Sequence, residues 1–281
     1  MEIGKLYLVP TPIGNLKDIT LRALEVLESV DIIAAEDTRQ TLKLLNHFNI
    51  KKTLISYHKH NEQAKSEEII SRLKEGNNIA IVTDAGTPGI SDPGAVIASK
   101  CIEENINFDV LPGATAITTA LVYSGLDTTR FLFRGFIPRE TKDRKILIEE
   151  VRDVKESIIF YESPHRLLST LSLLSETLGN RKIAACRELT KLHEEIIRGD
   201  ILEVIEHFKE KGIKGEFVLV VQGKQKEEIE EEKKKEWGNI TIEEHIIKII
   251  EDGITKKEAI KIVAKERGIA KSDVYKHSLN I

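Results

Sequence analysis

The sequence predicts an α/β protein made of two consecutive α/β units and a small helical tail. Three observations carry that prediction. Short Val- and Ile-rich runs alternate with helix-like segments up to Gly223. The alternation restarts after an uncharged stretch between Asp109 and Asp127. Beyond Gly223 the chain turns to Glu and Lys, and then to Ile at helical spacing.

In order, Lys5–Pro10, Asp31–Glu36, Thr53–Tyr57, Ile79–Asp84 and Phe108–Leu111 are apolar enough to be buried strands. Between them Thr20–Ser29, Gln40–Phe48, Glu62–Glu75 and Pro93–Glu104 have helical spacing. Thr20 and Asp92 suit N-caps, with Pro93 at a first helical position. This alternation predicts a largely parallel sheet. The second block repeats it: strands at Phe131–Phe136, Ser157–Glu162, Lys182–Glu188 and Glu216–Gln222, helices at Ala114–Tyr123, Lys142–Val151, Arg166–Thr177 and Ile201–Lys211. Lys224–Glu236 is almost all Glu and Lys, with Glu230/Lys234 and Glu231/Lys235 one helical turn apart, and suits a solvated linker. In the tail, Ile242, Ile246, Ile249 and Ile250 share a face. Thr255-Lys-Lys-Glu258 is a capping-box pattern, Gly268 a helix stop, and Ser272–Leu279 a further helix. That order has the shape of a helix-turn-helix. The predicted divisions are residues 1–116, 117–223, a linker at 224–240, and a helical region at 241–281.

Composition excludes several classes. Hydrophobic residues are 41% and charged residues 31% of the chain, which rules out a mostly disordered protein. The net charge of −4 leaves nucleic-acid contact to a local patch. Residues Ile254–Ile281 supply one, with seven Lys and Arg against three acids. The uncharged stretch before Asp127 contains Pro112, Gly113 and Gly125 and is shorter than the roughly 20 apolar residues of a membrane span, so no membrane is expected. No secretory leader is evident at the start. Two distant cysteines, Cys101 and Cys186, point to a reducing, cytoplasmic setting without structural zinc.

The familiar phosphate-loop, dinucleotide, zinc-hydrolase and serine-elbow motifs are absent from the sequence, so no metal is expected. Strand-end loops stand out instead. Val9-Pro-Thr-Pro-Ile-Gly-Asn15 follows the first strand, where open α/β sheets bind ligands. Thr83-Asp-Ala-Gly-Thr-Pro-Gly-Ile-Ser-Asp-Pro-Gly94 is too dense in Gly, Pro and polar residues for a mere connection. It lacks Lys and Arg, which argues against a polyphosphate and suits hydroxyls, amines or a positive centre. Leu111-Pro-Gly-Ala-Thr-Ala116 opens a helix whose free N–H groups suit a carboxylate or an adenine edge. Ala35-Glu-Asp-Thr-Arg39, Phe160-Tyr-Glu-Ser-Pro-His-Arg166 and Cys186-Arg-Glu-Leu-Thr-Lys191 add polar clusters, although the first also suits a plain helix cap.

Together, and in order over about residues 5–223, these loops and Gly135-Phe-Ile-Pro138 resemble the tetrapyrrole-methylase superfamily of S-adenosylmethionine-dependent methyltransferases. The resemblance implies two α/β domains of that type with the cofactor in the cleft between them. By position, Pro12, Thr87, Ile90, Thr115, Ala116, Tyr161 and Leu189 are expected to line the S-adenosylmethionine site, with Asp84 and Gly86 shaping its loop. Many small-molecule members carry Gly-Asp-Pro where this chain has Gly86-Thr87-Pro88, which leaves Asp84 to supply an acidic contact. Within the superfamily the match is to members that methylate small-subunit ribosomal RNA. That implies an acceptor at the 2′-hydroxyl of a cytidine near the decoding centre, and a homodimer.

A ribose hydroxyl is a weak nucleophile and needs a base or a nearby cation. Asp37 and Glu162 are candidate bases, and Arg39, Arg187 and Lys191 candidate grips for phosphate or alkoxide, with Glu36 and Glu188 beside them. Two other readings stay open at this point: a tetrapyrrole or other small-molecule methyltransferase, and a nucleic-acid-binding regulator with the α/β part as a sensor.

Overall fold

A computed structural model of the chain describes residues 2–229, 237, 240–279 and 281. Contacts divide it into two units, Met1–Gln222 and Gly223–Ile281. The expected pairs Glu230/Lys234 and Glu231/Lys235 lie outside the described residues.

The first unit holds two five-stranded sheets. In the first, β1 (Leu6–Leu8), β2 (Ile32–Ala35), β3 (Thr53–Ser56), β4 (Ile79–Val82) and β5 (Phe108–Val110) lie in the order β3-β2-β4-β1-β5, all parallel. Strands β2 and β4 are buried along their whole length, as a parallel sheet covered on both faces requires. Helices α1 (Leu21–Ser29) and α2 (Thr38–His47) pack on one face through Ala23, Leu27 and Leu45. Helices α3 (Glu62–Lys74) and α4 (Ala95–Glu103) cover the other through Ile69, Leu73, Ile97 and Cys101. Neighbouring strands β1 and β4 therefore lead to helices on opposite faces. Their loops part at that point, the place where such sheets open a crevice.

Helix α5 (Ala116–Ser124) leads into the second sheet, formed by β6 (Phe131–Phe136), β7 (Ser157–Glu162), β8 (Lys182–Arg187), β9 (Glu195–Asp200) and β10 (Phe217–Val221). Its order is β6-β7-β10-β8-β9. Only β6 and β7 are parallel; β10 runs against β7 and β8, and β8 against β9. This corrects the expected parallel repeat. No helix separates β8 from β9, so the chain returns by a loop and an antiparallel pair results. Helices α6 (Thr141–Glu150), α7 (Leu167–Leu178) and α8 (Ile201–Glu210) cover one face of this sheet, and α5 packs on the other through Ile117, Ala120 and Leu121.

Thr20 caps α1, accepting from the Ala23 N–H, as predicted. Asp92 does not cap α4. Gly94, at φ 140°, is the cap, and the helix starts at Ala95. A Cβ at Gly94 would stand 2.8 Å from the Gly89 nitrogen, so the tight Gly89–Gly94 turn moves the helix start beyond Asp92.

The second unit holds α9 (Ile242–Glu251), α10 (Lys256–Arg267) and α11 (Lys271–Ser278) around Ile246, Ile260, Val263 and Val274. Thr241 and Glu244 form a capping box on α9, Thr255 caps α10, and Gly268 ends α10 in the left-handed conformation. His245, fully buried, receives a hydrogen bond at Nδ1 from Arg267 Nε at 3.1 Å and faces Glu266 through Nε2 at 3.2 Å. Burial and the Arg267 charge lower its pKa, so the neutral imidazole is favoured.

Candidate active site in the first unit

A cavity of about 400 Å³ opens where the loops of the first sheet meet the second sheet. From the first side come Ile13 after β1, Gly86, Thr87, Ile90 and Asp92 after β4, and Thr115 and Ala116 at the start of α5. From the second come Tyr161 and Glu162 at the end of β7, Cys186 on β8, and Phe217 and Val218 on β10. The antiparallel register explains that last group, because Phe217 pairs with both Glu162 and Arg187, and Val218 with both Tyr161 and Cys186.

Backbone bonds hold the two first-side loops together. Thr11 and Gly86 exchange N–H to carbonyl bonds of 2.9 Å in both directions, and the Thr11 hydroxyl donates to the Thr83 carbonyl at 3.0 Å. Gly89 N–H donates to the Pro93 carbonyl at 3.0 Å, closing the turn that carries Ile90 to Asp92. Across the cavity, the Thr190 hydroxyl accepts from the Asn15 N–H at 3.0 Å. A Cβ at Gly14 would stand 2.6 Å from that hydroxyl, so glycine permits the approach. Ser91 (φ 65°), Glu188 (φ 50°) and Thr190 (φ 64°) hold left-handed conformations around the site. Such conformations in residues other than glycine persist where surroundings over-determine them.

Of the nine residues expected to hold the cofactor, Gly86, Thr87, Ile90, Thr115, Ala116, Tyr161 and Leu189 line this cavity. Pro12 and Asp84 line a neighbouring one. Among the chemical candidates Glu162 and Lys191 line the first cavity, while Asp37 and Arg39 line neither. Asp37 caps α2, the bland alternative of the sequence. Its carboxylate takes two bonds from Arg39, at 3.0 and 2.7 Å, and this pairing holds it at about 2. A group that acidic is a poor proton acceptor.

Glu162 is fully buried and fully engaged. It accepts from Thr170 Oγ1 at 2.6 Å and from its neighbour Ser163 N–H at 2.7 Å, and pairs with Arg166 at 2.6 Å. Arg166 in turn donates to the Ile137 and Pro138 carbonyls at 2.8 and 3.2 Å. These contacts make Glu162 the anchor of the Ser163–Arg166 turn. Lys191 bridges Glu188 at 3.0 Å and Glu216 at 3.1 Å. Burial works against its charge, but the two carboxylates outweigh burial and raise its pKa, so it stays a cation. Arg187 pairs with Glu195 at 3.2 Å.

Sequence reasoning took Asp92 for a helix cap and a polar group of the glycine loop, and not for a candidate base. Its carboxylate lines the cavity and accepts no hydrogen bond among the described residues. Burial, with Glu36 and Asp84 nearby, pushes it up to about 6 against the pull of Lys59. Burial likewise raises Glu36 and Asp84. Phe136, packed on Tyr161 at 5.1 Å, falls in the Gly135–Pro138 motif but was not named as a site residue, and Val218 was missed because nothing distinguishes it from a core residue in sequence.

The family of tetrapyrrole (corrin/porphyrin) methylases matches residues 5–205. The chain belongs to this family. Its members take the methyl group from S-adenosylmethionine, and the tetrapyrrole-methylase cavity here suits that cofactor. Ile13, Leu189 and Val218 offer apolar surface to an adenine ring, and the glycine loop and α5 N-terminus offer backbone polar groups. Asp92 suits a positive centre, while Lys191 is already neutralised by two acids, so among the described residues this cavity offers no free cation to a phosphate. The chain is 51% identical over 274 residues, 98% of its length, to ribosomal RNA small subunit methyltransferase I of Bacillus subtilis, covering 94% of that protein. The protein of the same name from Thermotoga maritima is matched over 100% of its length by 223 residues, 79% of this chain, at 48% identity. Among solved structures, diphthine synthase covers 79% of the chain with a TM-score of 0.64 at 15% identity, over 91% of its own length. Uroporphyrin-III-C-methyltransferase from Thermus thermophilus covers 78%, with a TM-score of 0.57 at 22% identity, over 94% of its own length. Both share the fold. No helix among the described residues is long and apolar enough to cross a membrane, and no group there could hold a metal ion.

Proposed function

We propose that this methylase transfers a methyl group to the ribose 2′-hydroxyl of a cytidine in small-subunit ribosomal RNA near the decoding centre. The observation that carries the reading is the 51% identity over 98% of the chain to a protein named for that RNA. S-adenosylmethionine supplies an activated methyl group on a positive sulfur. The residues of this chain hold donor and acceptor in line, which provides much of the rate. As the oxygen attacks, its proton must go to a base. Asp92 suits that role, because it faces the cavity, is unencumbered, and at about 6 is ionised at neutral pH yet more basic than an exposed carboxylate. Lys191, neutralised by Glu188 and Glu216, holds those two acids in place on the second side and takes no part in the proton transfer. Glu162 positions the turn without taking the proton.

Thr87, Ile90, Thr115, Ala116, Tyr161 and Leu189 are the proposed cofactor contacts, with Gly86 giving close approach and Pro12 and Asp84 shaping the adjoining wall. The second unit adds RNA contact. Lys256, Lys257, Lys271 and the exposed Tyr275 line a groove there of about 560 Å³, where phosphates and a base face find partners. The protein acts as a homodimer in the cytoplasm, where ribosomal RNA and reduced thiols coexist. Subunits lacking the modification are incubated with enzyme and labelled S-adenosylmethionine, and the RNA is digested to nucleosides for mass spectrometry. Label in 2′-O-methylcytidine is the expected result. Label on a base, or only in a porphyrinoid, overturns the reading. Sedimentation giving a monomer at working concentration removes the dimer.

A further inference from the structure

A second cavity, of about 440 Å³, adjoins the first and shares Ile13, Lys191 and Glu216 with it. The two are therefore contiguous and of similar size. S-adenosylmethionine is a nucleoside carrying an amino acid, so a space as large as its cavity accommodates one nucleotide. The second cavity differs in chemistry. Helix α2 presents Gln40, Lys43 and Leu44 to it, and the β1 loop adds Pro12 and Leu16. Lys43 donates to Gln40 Oε1 at 3.3 Å and has no carboxylate partner among the described residues. Lys191, by contrast, is held by two. Lys43 is thus a cation available to an anion from outside. Gln40 carries a donor and an acceptor in one plane, the pattern that pairs with a base edge. Leu16 and Leu44 give apolar surface for a sugar or a base face. The cap at Asp37 fixes the first turn of α2, which sets where Gln40 stands.

We propose that this second cavity receives a single unstacked nucleotide of the RNA acceptor, with Gln40 against its base edge and Lys43 against its phosphate. This rests on the RNA-methylating reading and adds the subsite and its selectivity. An enzyme acting on one nucleotide takes it out of the stack, and the cost is least where the base is already unpaired.

The test compares the wild type, Lys43→Ala and Gln40→Ala on unmodified small subunits, and on subunits in which the target cytidine is uridine. Calorimetry follows S-adenosylmethionine binding separately. For Lys43→Ala the KM for subunits rises about 5- to 30-fold, and the slope of log affinity against log salt falls by about one. For Gln40→Ala the preference for cytidine over uridine falls at least about fivefold. Cofactor affinity stays within about twofold of wild type in both, as expected for residues outside the cofactor cavity. Wild-type KM and salt slope in Lys43→Ala remove the phosphate contact, and unchanged base preference in Gln40→Ala removes the base contact. Both together overturn the subsite, as does loss of cofactor binding in either variant. A wild-type enzyme that labels no RNA overturns the RNA reading itself, and this inference with it.

Discussion

The two sheets of the first unit contribute to one cavity in different ways. In the first, all five strands are parallel, so every strand's carboxyl end and its loop lie at one edge. That edge concentrates glycines, helix starts and the carboxylates Glu36, Asp84 and Asp92, each pushed upward chiefly by burial. In the second sheet β10 runs against both neighbours, so the cavity meets the start of one strand beside the ends of two. It contributes Tyr161, Cys186, Phe217 and Val218, and the burial of Cys186 pushes its thiol up to about 12, leaving it neutral. Parallel order gathers glycines and raised carboxylates at one edge, whereas antiparallel order sets apolar Phe217 and Val218 beside the paired charges of Glu162 and Lys191. Both sides line the cavity, and the carboxylates raised by burial belong to the first alone.

The largest expected effect breaks this division on the first side. Asp92→Asn lowers kcat about 10²- to 10⁴-fold while cofactor affinity, read by calorimetry, changes little. The low-pH limb of the wild-type rate profile, centred near 6, disappears in the variant. A loss confined to cofactor binding would make Asp92 a cofactor contact and not the base. Glu162→Ala comes next. It leaves Arg166 unpaired beside a buried site and costs about 3 kcal/mol, measured as a fall in urea midpoint. Leu189→Ala acts on the second side: about tenfold weaker cofactor binding, with kcat at saturation retained. The smallest effect concerns stability. Asp92 has its ordinary value, 3.8, in the unfolded chain and about 6 in the fold. Its ionisation therefore costs nothing below about pH 4; the penalty grows from there to about pH 6 and is complete above. Asp92→Asn removes that penalty, so at pH 7.5 its Tm exceeds wild type by about 2–4 °C, and the curves converge near pH 4.

Much of the first sheet was legible in the sequence, because runs such as Ile32–Ala35 and Ile79–Val82 are buried on both faces and contain no polar residue. Strand β9 was not, since Glu195–Asp200 is an edge strand with polar ends and no residue fully buried. The reversal of direction in the second sheet was hidden for a related reason. The turn after β8 uses Glu188 and Thr190 at positive φ, and neither residue type announces such a turn. At the site, the glycine loop announced itself by composition. Asp92 was misplaced because Ser-Asp-Pro imitates a helix start, and only the Gly89–Gly94 closure shows where α4 begins. Phe217 and Val218 join the site through register, which composition does not encode.

Strand β10, the last of the first unit in sequence, is the middle strand of its sheet. During synthesis the first sheet has all its strands once residue 110 has emerged, whereas the second lacks its centre until residue 221. The part of the cavity wall that Phe217 and Val218 provide is therefore the last to be synthesised. A nascent chain stopped short of residue 217 would carry the glycine loop and the start of α5 with no β10 behind them.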